Sequence, residues 1–303
     1  MNDLFADVPG GIRLCYRTSG PADGDPLLLV AGLSQHLTSW PEPFVEGLAG
    51  RGFRVVRFDN RDVGRSSRVD APAPVTARQL LARPLPGAYT LEDMAADTAG
   101  LLDVLGIAQA HVVGMSMGGM IAQTLAAAQP DRVATLTSLC STTGDRKVGQ
   151  PARSTMVRLA RRPARNREEY VRHYVGIMTH LGGTAYPLDV AVETAYAEGA
   201  WDRGGPNPAG TARQIQAIQA SGDRSADLRR VTAPTLVVHG DRDLIVHPSG
   251  GRATAEAIPG ARHVTVPGMG HHLAPGVLDH LLDLVTGHCR DLQRGAASKE
   301  GTR

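Results

Sequence analysis

The chain has 303 residues, 42% of them hydrophobic, and a formal net charge of +2 at pH 7. This length allows a sizeable core, and the near balance of charge argues against a dedicated nucleic-acid-binding protein. The N-terminal residues lack the pattern of a signal peptide, no apolar stretch is long enough to span a bilayer, and the three cysteines are too far apart to suggest a disulfide framework. We therefore expect a cytoplasmic protein without nucleic-acid or membrane partners, and its oligomeric state stays open.

Strand and helix patterns alternate along the first half of the chain. Short apolar segments predict strands at 26–31, 54–58, 110–113 and 133–139. Helical patterns lie between them, including 43–50 and a helix that begins at Leu91 after a capping Thr90 and ends at Gly106. Such alternation is typical of an α/β fold with a mostly parallel sheet flanked by helices.

The alternation lapses between residues 145 and 230, where an arginine-rich helical pattern is followed by a Gly/Pro stretch. We interpret this segment as a helical cap inserted into an α/β core made of residues 1–144 and 231–303. Its basic residues, at seven positions from Arg153 to Arg172, are typical of a solvated helix face, although they also suit an anionic ligand.

The segment Gly114-Met115-Ser116-Met117-Gly118 stands between a predicted strand and a predicted helix. A strand that turns so tightly into a helix holds its middle residue in a strained conformation and presents that side chain at the top of the sheet. The helix N-terminus beside it stabilises negative charge that develops during acyl transfer. The pattern therefore predicts Ser116 as a nucleophile, the alternative being a small residue in a tight turn.

A serine nucleophile needs a histidine base and an acid that orients it. Asp241 and Asp243 follow a buried strand at 234–238, and His271 and His272 follow another at 263–266. Both pairs stand just past a strand end, where catalytic groups gather in open α/β sheets, and the order Ser, Asp, His is that of the α/β-hydrolases. The residues alone do not choose within either pair.

Over nearly its whole length the chain resembles the α/β-hydrolases, in particular the aclacinomycin methylesterase-like esterases. The matching segments are 28–33, 57–67, 111–119, 240–243 and 268–271. The family patterns G-x-x-D and G-x-G-H fall on Asp243 and His271, so the resemblance implies a triad of Ser116, Asp243 and His271.

The resemblance also implies an oxyanion hole formed by the backbone N–H groups of Leu33 and Met117. Two departures from the family pattern stand out. Ala31-Gly32 replaces the common His-Gly pair, and Asp62 replaces the first glycine of the turn at 59–67, which we interpret as a structural turn beside the site.

Histidines and aspartates crowd the second half of the chain and raise the alternative of a metal site. Neither H-x-H nor H-E-x-x-H occurs there, so we expect no metal and no cofactor. We expect His239 and His263, which flank buried strands, to be hydrogen-bonded structural residues.

These residues predict a carboxylic-ester hydrolase that works through an acyl-enzyme on a small-molecule ester. The resemblance implies a methyl ester of a polycyclic, anthracycline-type polyketide, and hence a role in antibiotic biosynthesis. Lactonases, acyltransferases and cofactor-free perhydrolases use the same triad and stay as alternatives, as does a non-catalytic ligand receptor on this fold. Because the predicted triad lies outside 145–230, the sequence predicts that this segment selects the substrate and that chemistry on a small ester survives without it.

Overall fold

A computed structural model describes residues 2–74, 83–159 and 162–300. Eight strands form one sheet in the order β1-β2-β4-β3-β5-β6-β7-β8. The strands are β1 Leu4–Val8, β2 Ile12–Ser19, β3 Asp25–Val30, β4 Phe53–Phe58, β5 Ala110–Met115, β6 Val133–Leu139, β7 Thr235–Gly240 and β8 Arg262–Val266. Only the pairings that involve β1 and β2 are antiparallel within this sheet, which confirms the predicted, mostly parallel architecture.

Helices cover both faces of the sheet and fill the segment between β6 and β7. They are α1 Glu42–Gly50, α2 Leu91–Val104, α3 Met117–Ala128, α4 Arg153–Leu159, α5 Arg167–Leu181, α6 Val190–Arg203, α7 Pro208–Ser221, α8 Ser225–Leu228, α9 Ser249–Ala257 and α10 Leu278–Glu300. Within the described residues, no helix combines the length and the apolar composition needed to cross a membrane.

Two apolar clusters hold the layers together, one on each face of the sheet. Side chains alternate along β3, so Leu28 and Val30 join the cluster formed with α2 and α3, whereas Leu27 and Leu29 join the cluster formed with α1 and α10. All four leucine and valine side chains are fully buried. A strand that is buried on both faces has a continuous run of apolar residues, and this run is the pattern that predicted β3.

Helix α2 shows how local sequence sets an element's ends. The Thr90 hydroxyl accepts a hydrogen bond from the Asp93 amide, and the Asp93 carboxylate accepts one from the Thr90 amide at 2.7 Å, which completes a capping box. Gly106 follows the last turn with φ of 65°, a conformation that glycine adopts without steric cost. The helix therefore begins at the predicted residue, Leu91, and ends at Val104, two residues before the predicted end at Gly106.

The five helices α4 to α8 all belong to residues 145–230, which we call the inserted segment. A buried ion pair joins it to the core. The Arg213 guanidinium of α7 donates to Asp62 from Nε at 2.8 Å and from Nη2 at 2.6 Å. The Tyr89 hydroxyl and the Val69 amide also donate to the Asp62 carboxylate, each at 2.9 Å. Asp62, which stands where the family pattern has glycine, keeps a left-handed backbone conformation with φ of 69°. Its side chain anchors α7 through Arg213.

Replacing Arg213 with methionine should therefore lower the free energy of unfolding by about 3–5 kcal/mol, because it leaves the Asp62 charge buried without its partner. Urea denaturation measures this change. The matched control is Arg172→Met, which breaks an exposed pair with Glu168 on α5 and should cost less than about 1 kcal/mol. Equal losses in the two variants would contradict a buried anchor at Asp62.

Candidate active site

Ser116 occupies the sharp turn between β5 and α3. Its φ of 56° and ψ of −120° place a non-glycine residue in a strained conformation. Three hydrogen bonds hold its backbone: its amide donates to the Leu139 carbonyl at 2.9 Å, and its carbonyl accepts from the Met120 amide at 3.1 Å and from the Ser141 hydroxyl at 2.8 Å. Strain that the surroundings enforce in this way is typical of functional sites.

The glycines beside Ser116 make this turn possible. A Cβ atom at Gly114 would overlap the Gly118 carbonyl, and one at Gly118 would overlap the Val30 carbonyl at the end of β3. The strand and helix backbones therefore approach each other more closely than any side chain permits, which explains why small residues flank the serine.

Asp243 and His271 lie together at the same edge of the sheet. Because β5, β6, β7 and β8 are parallel neighbours, the residues that follow β5, β7 and β8 emerge at one edge. His271 Nδ1 lies 2.6 Å from Asp243 Oδ2. The His271 amide donates to the Leu181 carbonyl at 2.8 Å, so the inserted segment also holds this loop.

The Asp243 carboxylate is buried and has several donors. Its Oδ1 atom accepts hydrogen bonds from the Ile245 and Val246 amides, both at 2.9 Å. Burial alone would raise the pKa of Asp243, but the charge and hydrogen bonds of His271 and His239 outweigh burial and hold this pKa well below its ordinary value. The carboxylate is therefore ionised at neutral pH and accepts the Nδ1–H of His271.

The neighbouring candidates have other partners. Asp241 Oδ1 accepts a hydrogen bond from the Gly268 amide at 2.6 Å, which ties the two loops together. His272 Nε2 lies 2.8 Å from Glu193 Oε1 of α6. The geometry thus brings Asp243, rather than Asp241, to His271, rather than His272.

His239 contributes more than the sequence predicted. Its Nε2 atom lies 2.8 Å from the Val246 carbonyl, the structural bond expected of it, but also 3.3 Å from Asp243 Oδ2. Cys140 is a second neighbour that the sequence did not reveal. Cys140 follows β6 and lies close to Asp243 because β6 and β7 are neighbouring strands, whereas His239 ends β7, four residues before Asp243.

The metal hypothesis receives one candidate cluster among the described residues. It consists of Cys140, Asp243 and His271, whose ligand atoms lie within 4.8 Å of one another. The short hydrogen bond from His271 to Asp243 already occupies two of these ligands, and burial raises the pKa of the Cys140 thiol well above its ordinary value. The set fits a hydrogen-bonded acid and base better than a metal site.

The loop after β3 lies beside Ser116. A Cβ atom at Gly32 would stand 3.4 Å from Ser116 Cβ and 3.4 Å from the Met115 carbonyl. The amides of Leu33 and Met117 donate to no acceptor among the described residues. Met117 follows Ser116 in the chain, and Leu33 follows Gly32, the residue in contact with the serine turn.

Aromatic side chains of the inserted segment form a cluster near this loop. Tyr170 contacts Tyr174 and Trp201, with ring centroids 6.4 and 5.6 Å apart, and Tyr174 contacts Tyr196 at 5.0 Å. The Tyr196 hydroxyl donates to Gln35 Oε1 at 3.0 Å. The cluster therefore touches the loop that follows β3.

Comparisons with known proteins identify the family of the chain. The profile of the alpha/beta hydrolase fold family matches residues 25–274. Rhodomycin D methylesterase DauP of Streptomyces sp. (strain C5) is 33% identical over 270 residues, 80% of this chain and 83% of that protein. Rhodomycin D methylesterase DnrP of Streptomyces peucetius is 35% identical over 266 residues, with the same coverage.

Among solved structures, the enol-lactonase from Burkholderia xenovorans LB400 superimposes with a TM-score of 0.72 and 27% identity, covering 94% of this chain and 99% of that one. The family match extends over most of the chain, and it includes every strand from β3 to β8. The chain therefore belongs to the α/β-hydrolase fold family, as its motifs predicted.

Proposed function

We propose that the protein is a serine esterase in which Ser116 is the nucleophile, His271 the base and Asp243 the acid that orients the base. The observation that carries this proposal is the 2.6 Å contact between His271 Nδ1 and Asp243 Oδ2, at the sheet edge where the strained Ser116 turn also lies. Because the ionised carboxylate keeps the imidazole proton on Nδ1, Nε2 is left free to accept the serine proton.

The reaction follows from these roles. Ser116 Oγ attacks the ester carbonyl carbon while its proton passes to His271 Nε2, and the resulting oxyanion accepts hydrogen bonds from the Leu33 and Met117 amides. His271 then protonates the departing alkoxide, so an alcohol leaves and Ser116 keeps the acyl group. A water molecule, deprotonated by His271, hydrolyses the acyl-enzyme, and the proton returns to Ser116. The ester, one water molecule and these protein groups account for every atom and every proton in the cycle.

We further propose that the inserted segment acts as a cap domain over a core of residues 1–144 and 231–303, and that the substrate is a methyl ester of a polycyclic, anthracycline-type polyketide. The two relatives named rhodomycin D methylesterases support this substrate class. The aromatic cluster around Tyr174 supports it as well, because flat aromatic side chains stack well on fused rings.

A panel of substrates tests this proposal with the purified protein. We expect kcat/KM for a methyl ester of an anthracycline-type polyketide to exceed that for p-nitrophenyl acetate, since contacts remote from the reacting bond are converted into transition-state stabilisation. We also expect an organophosphonate to label Ser116, which separates an enzyme from a non-catalytic receptor. Faster turnover of an aliphatic lactone would instead favour a lactonase, the alternative to which the similarity with an enol-lactonase structure points.

A further inference from the structure

The loop between β3 and α1 holds an unusual backbone conformation beside the nucleophile. Ser34, which directly follows the proposed oxyanion donor Leu33, has a φ of 58° although it is not glycine. Such a conformation persists only where neighbouring groups fix it. The Gln35 amide donates to the Gly32 carbonyl at 3.1 Å, which closes the turn from inside. The other hydrogen bonds of Ser34 are made with side chains outside the loop.

Two side chains of α7 hold Ser34. Its amide donates to Gln214 Oε1 at 2.9 Å, and its hydroxyl lies 2.6 Å from the Thr211 hydroxyl, within hydrogen-bond distance. Thr211 and Gln214 are three positions apart on the helix and therefore share one face. The two contacts join residues 180 and 177 positions apart in the chain, so no local sequence signal predicts them.

Gln214 is well suited to fix this loop. Its side chain is fully buried, and its Nε2 atom donates to the Arg61 carbonyl at 2.9 Å. The side-chain amide therefore bridges two loops. Its NH₂ group donates to the turn after β4, and its oxygen accepts a hydrogen bond from the loop after β3. Since Arg213, the adjacent residue, is held by Asp62, the position of α7 is set by the core itself.

We propose that Gln214 and Thr211 are positioning residues for the oxyanion hole: they fix Ser34 and thereby hold the Leu33 N–H toward the oxygen of the transition state. This inference rests on the proposed serine mechanism. Oxyanion donors stabilise the transition state only when they are held within a fraction of an ångström of their productive position. The inserted segment thus contributes to the chemical step as well as to the choice of substrate.

A second helix of the inserted segment reaches the same loop. The Tyr196 hydroxyl of α6 donates to Gln35 Oε1, one residue beyond Ser34. The loop is consequently held from α6 and α7 together, while its far end is held by the core, where the Leu37 amide donates to Asp59 Oδ1 at 2.7 Å. Loss of one contact should loosen the loop without unfolding it.

The test uses the full-length protein and p-nitrophenyl acetate, whose acyl group is too small to need specificity contacts. Gln214→Leu should lower kcat by about 10- to 100-fold and change KM by less than about threefold, because the loss falls on transition-state stabilisation. The inhibition constant of an aryl trifluoromethyl ketone, which forms an oxyanion on the serine, should rise by the same factor as kcat/KM falls. A purely structural role would not produce this proportionality.

Two variants at Thr211 test the same role independently, so the test does not depend on the folding of Gln214→Leu. Thr211→Val removes only the hydroxyl contact and should lower kcat by about three- to tenfold. Thr211→Ser keeps the hydroxyl, so its kcat should stay within about twofold of the wild-type value. The control Arg68→Met breaks a different bond between core and inserted segment, from Arg68 to the Gly204 carbonyl, and should leave kcat unchanged.

The outcomes separate this inference from the proposed function. If the wild-type protein neither turns over the ester nor reacts with an organophosphonate, the serine mechanism itself is wrong. If the wild-type protein is active and Thr211→Val and Gln214→Leu keep its kcat, the positioning role is overturned. A loss in Arg68→Met as large as in Gln214→Leu would overturn it too, because general loosening of the inserted segment would then explain both.

Discussion

Replacing Ser116 with alanine should lower kcat by about 10⁴- to 10⁶-fold, because the nucleophile and its base act as one unit and neither works without the other. The fold should survive. The hydrogen bonds that hold this turn involve the Ser116 amide and carbonyl rather than its hydroxyl, so alanine keeps them. Steady-state rates on p-nitrophenyl acetate measure the loss, and circular dichroism checks the fold.

The matched control is Ser141→Ala. The Ser141 hydroxyl donates to the Ser116 carbonyl at 2.8 Å, so its loss loosens the turn but leaves the proposed nucleophile in place. We expect kcat to fall by less than about tenfold in this variant, as for the loss of one ordinary hydrogen bond. If Ser116→Ala kept more than about a tenth of the wild-type rate, another residue would have to be the nucleophile.

The elements of the core could be predicted because their signals are local. Buried parallel strands such as β3 and β6 appear as short apolar runs, and the capping box at Thr90 marks the first residue of α2. The strand-to-helix turn at Ser116 is equally local, since it needs small residues on both sides at fixed positions. In these places the sequence pattern and the tertiary fold favour the same conformation.

The contacts around the site could not be predicted because they join distant residues. Gln214 and Thr211 sit in a helix whose sequence gives no reason to single them out, and their partner Ser34 is far away in the chain. The choice between Asp241 and Asp243 could not be made from the residues for a different reason. Both follow the same strand, so the residues alone left it open and the family pattern decided it.

These contacts also change an expectation about the inserted segment. The positions of the proposed triad suggested that small esters would still react without residues 145–230. The segment, however, holds Ser34 through Gln214 and holds the His271 amide through the Leu181 carbonyl. We therefore expect its removal to lower kcat on small and large esters alike, in addition to any effect on substrate choice.

The second large effect concerns the acid. Asp243→Asn should lower kcat by about 10⁴-fold, because it favours the wrong tautomer of His271. The Ile245 and Val246 amides both donate to Oδ1, so the asparagine must place its carbonyl oxygen there and turn its NH₂ group toward His271. Nδ1 then has to accept a hydrogen bond, which moves the imidazole proton to Nε2, where it blocks transfer of the serine proton. Steady-state kcat on p-nitrophenyl acetate measures the effect.

Asp241→Asn is the matched control, since it makes the same chemical change two residues away. Asp241 Oδ1 accepts a hydrogen bond from the Gly268 amide, and an asparagine carbonyl oxygen accepts that bond equally well. We expect kcat to change by less than about threefold, in line with the small effects of substitutions that preserve a hydrogen bond. The opposite ranking, with the larger loss in Asp241→Asn, would assign the orienting carboxylate to Asp241 and show that the 2.6 Å contact between His271 and Asp243 does not set the tautomer of the base.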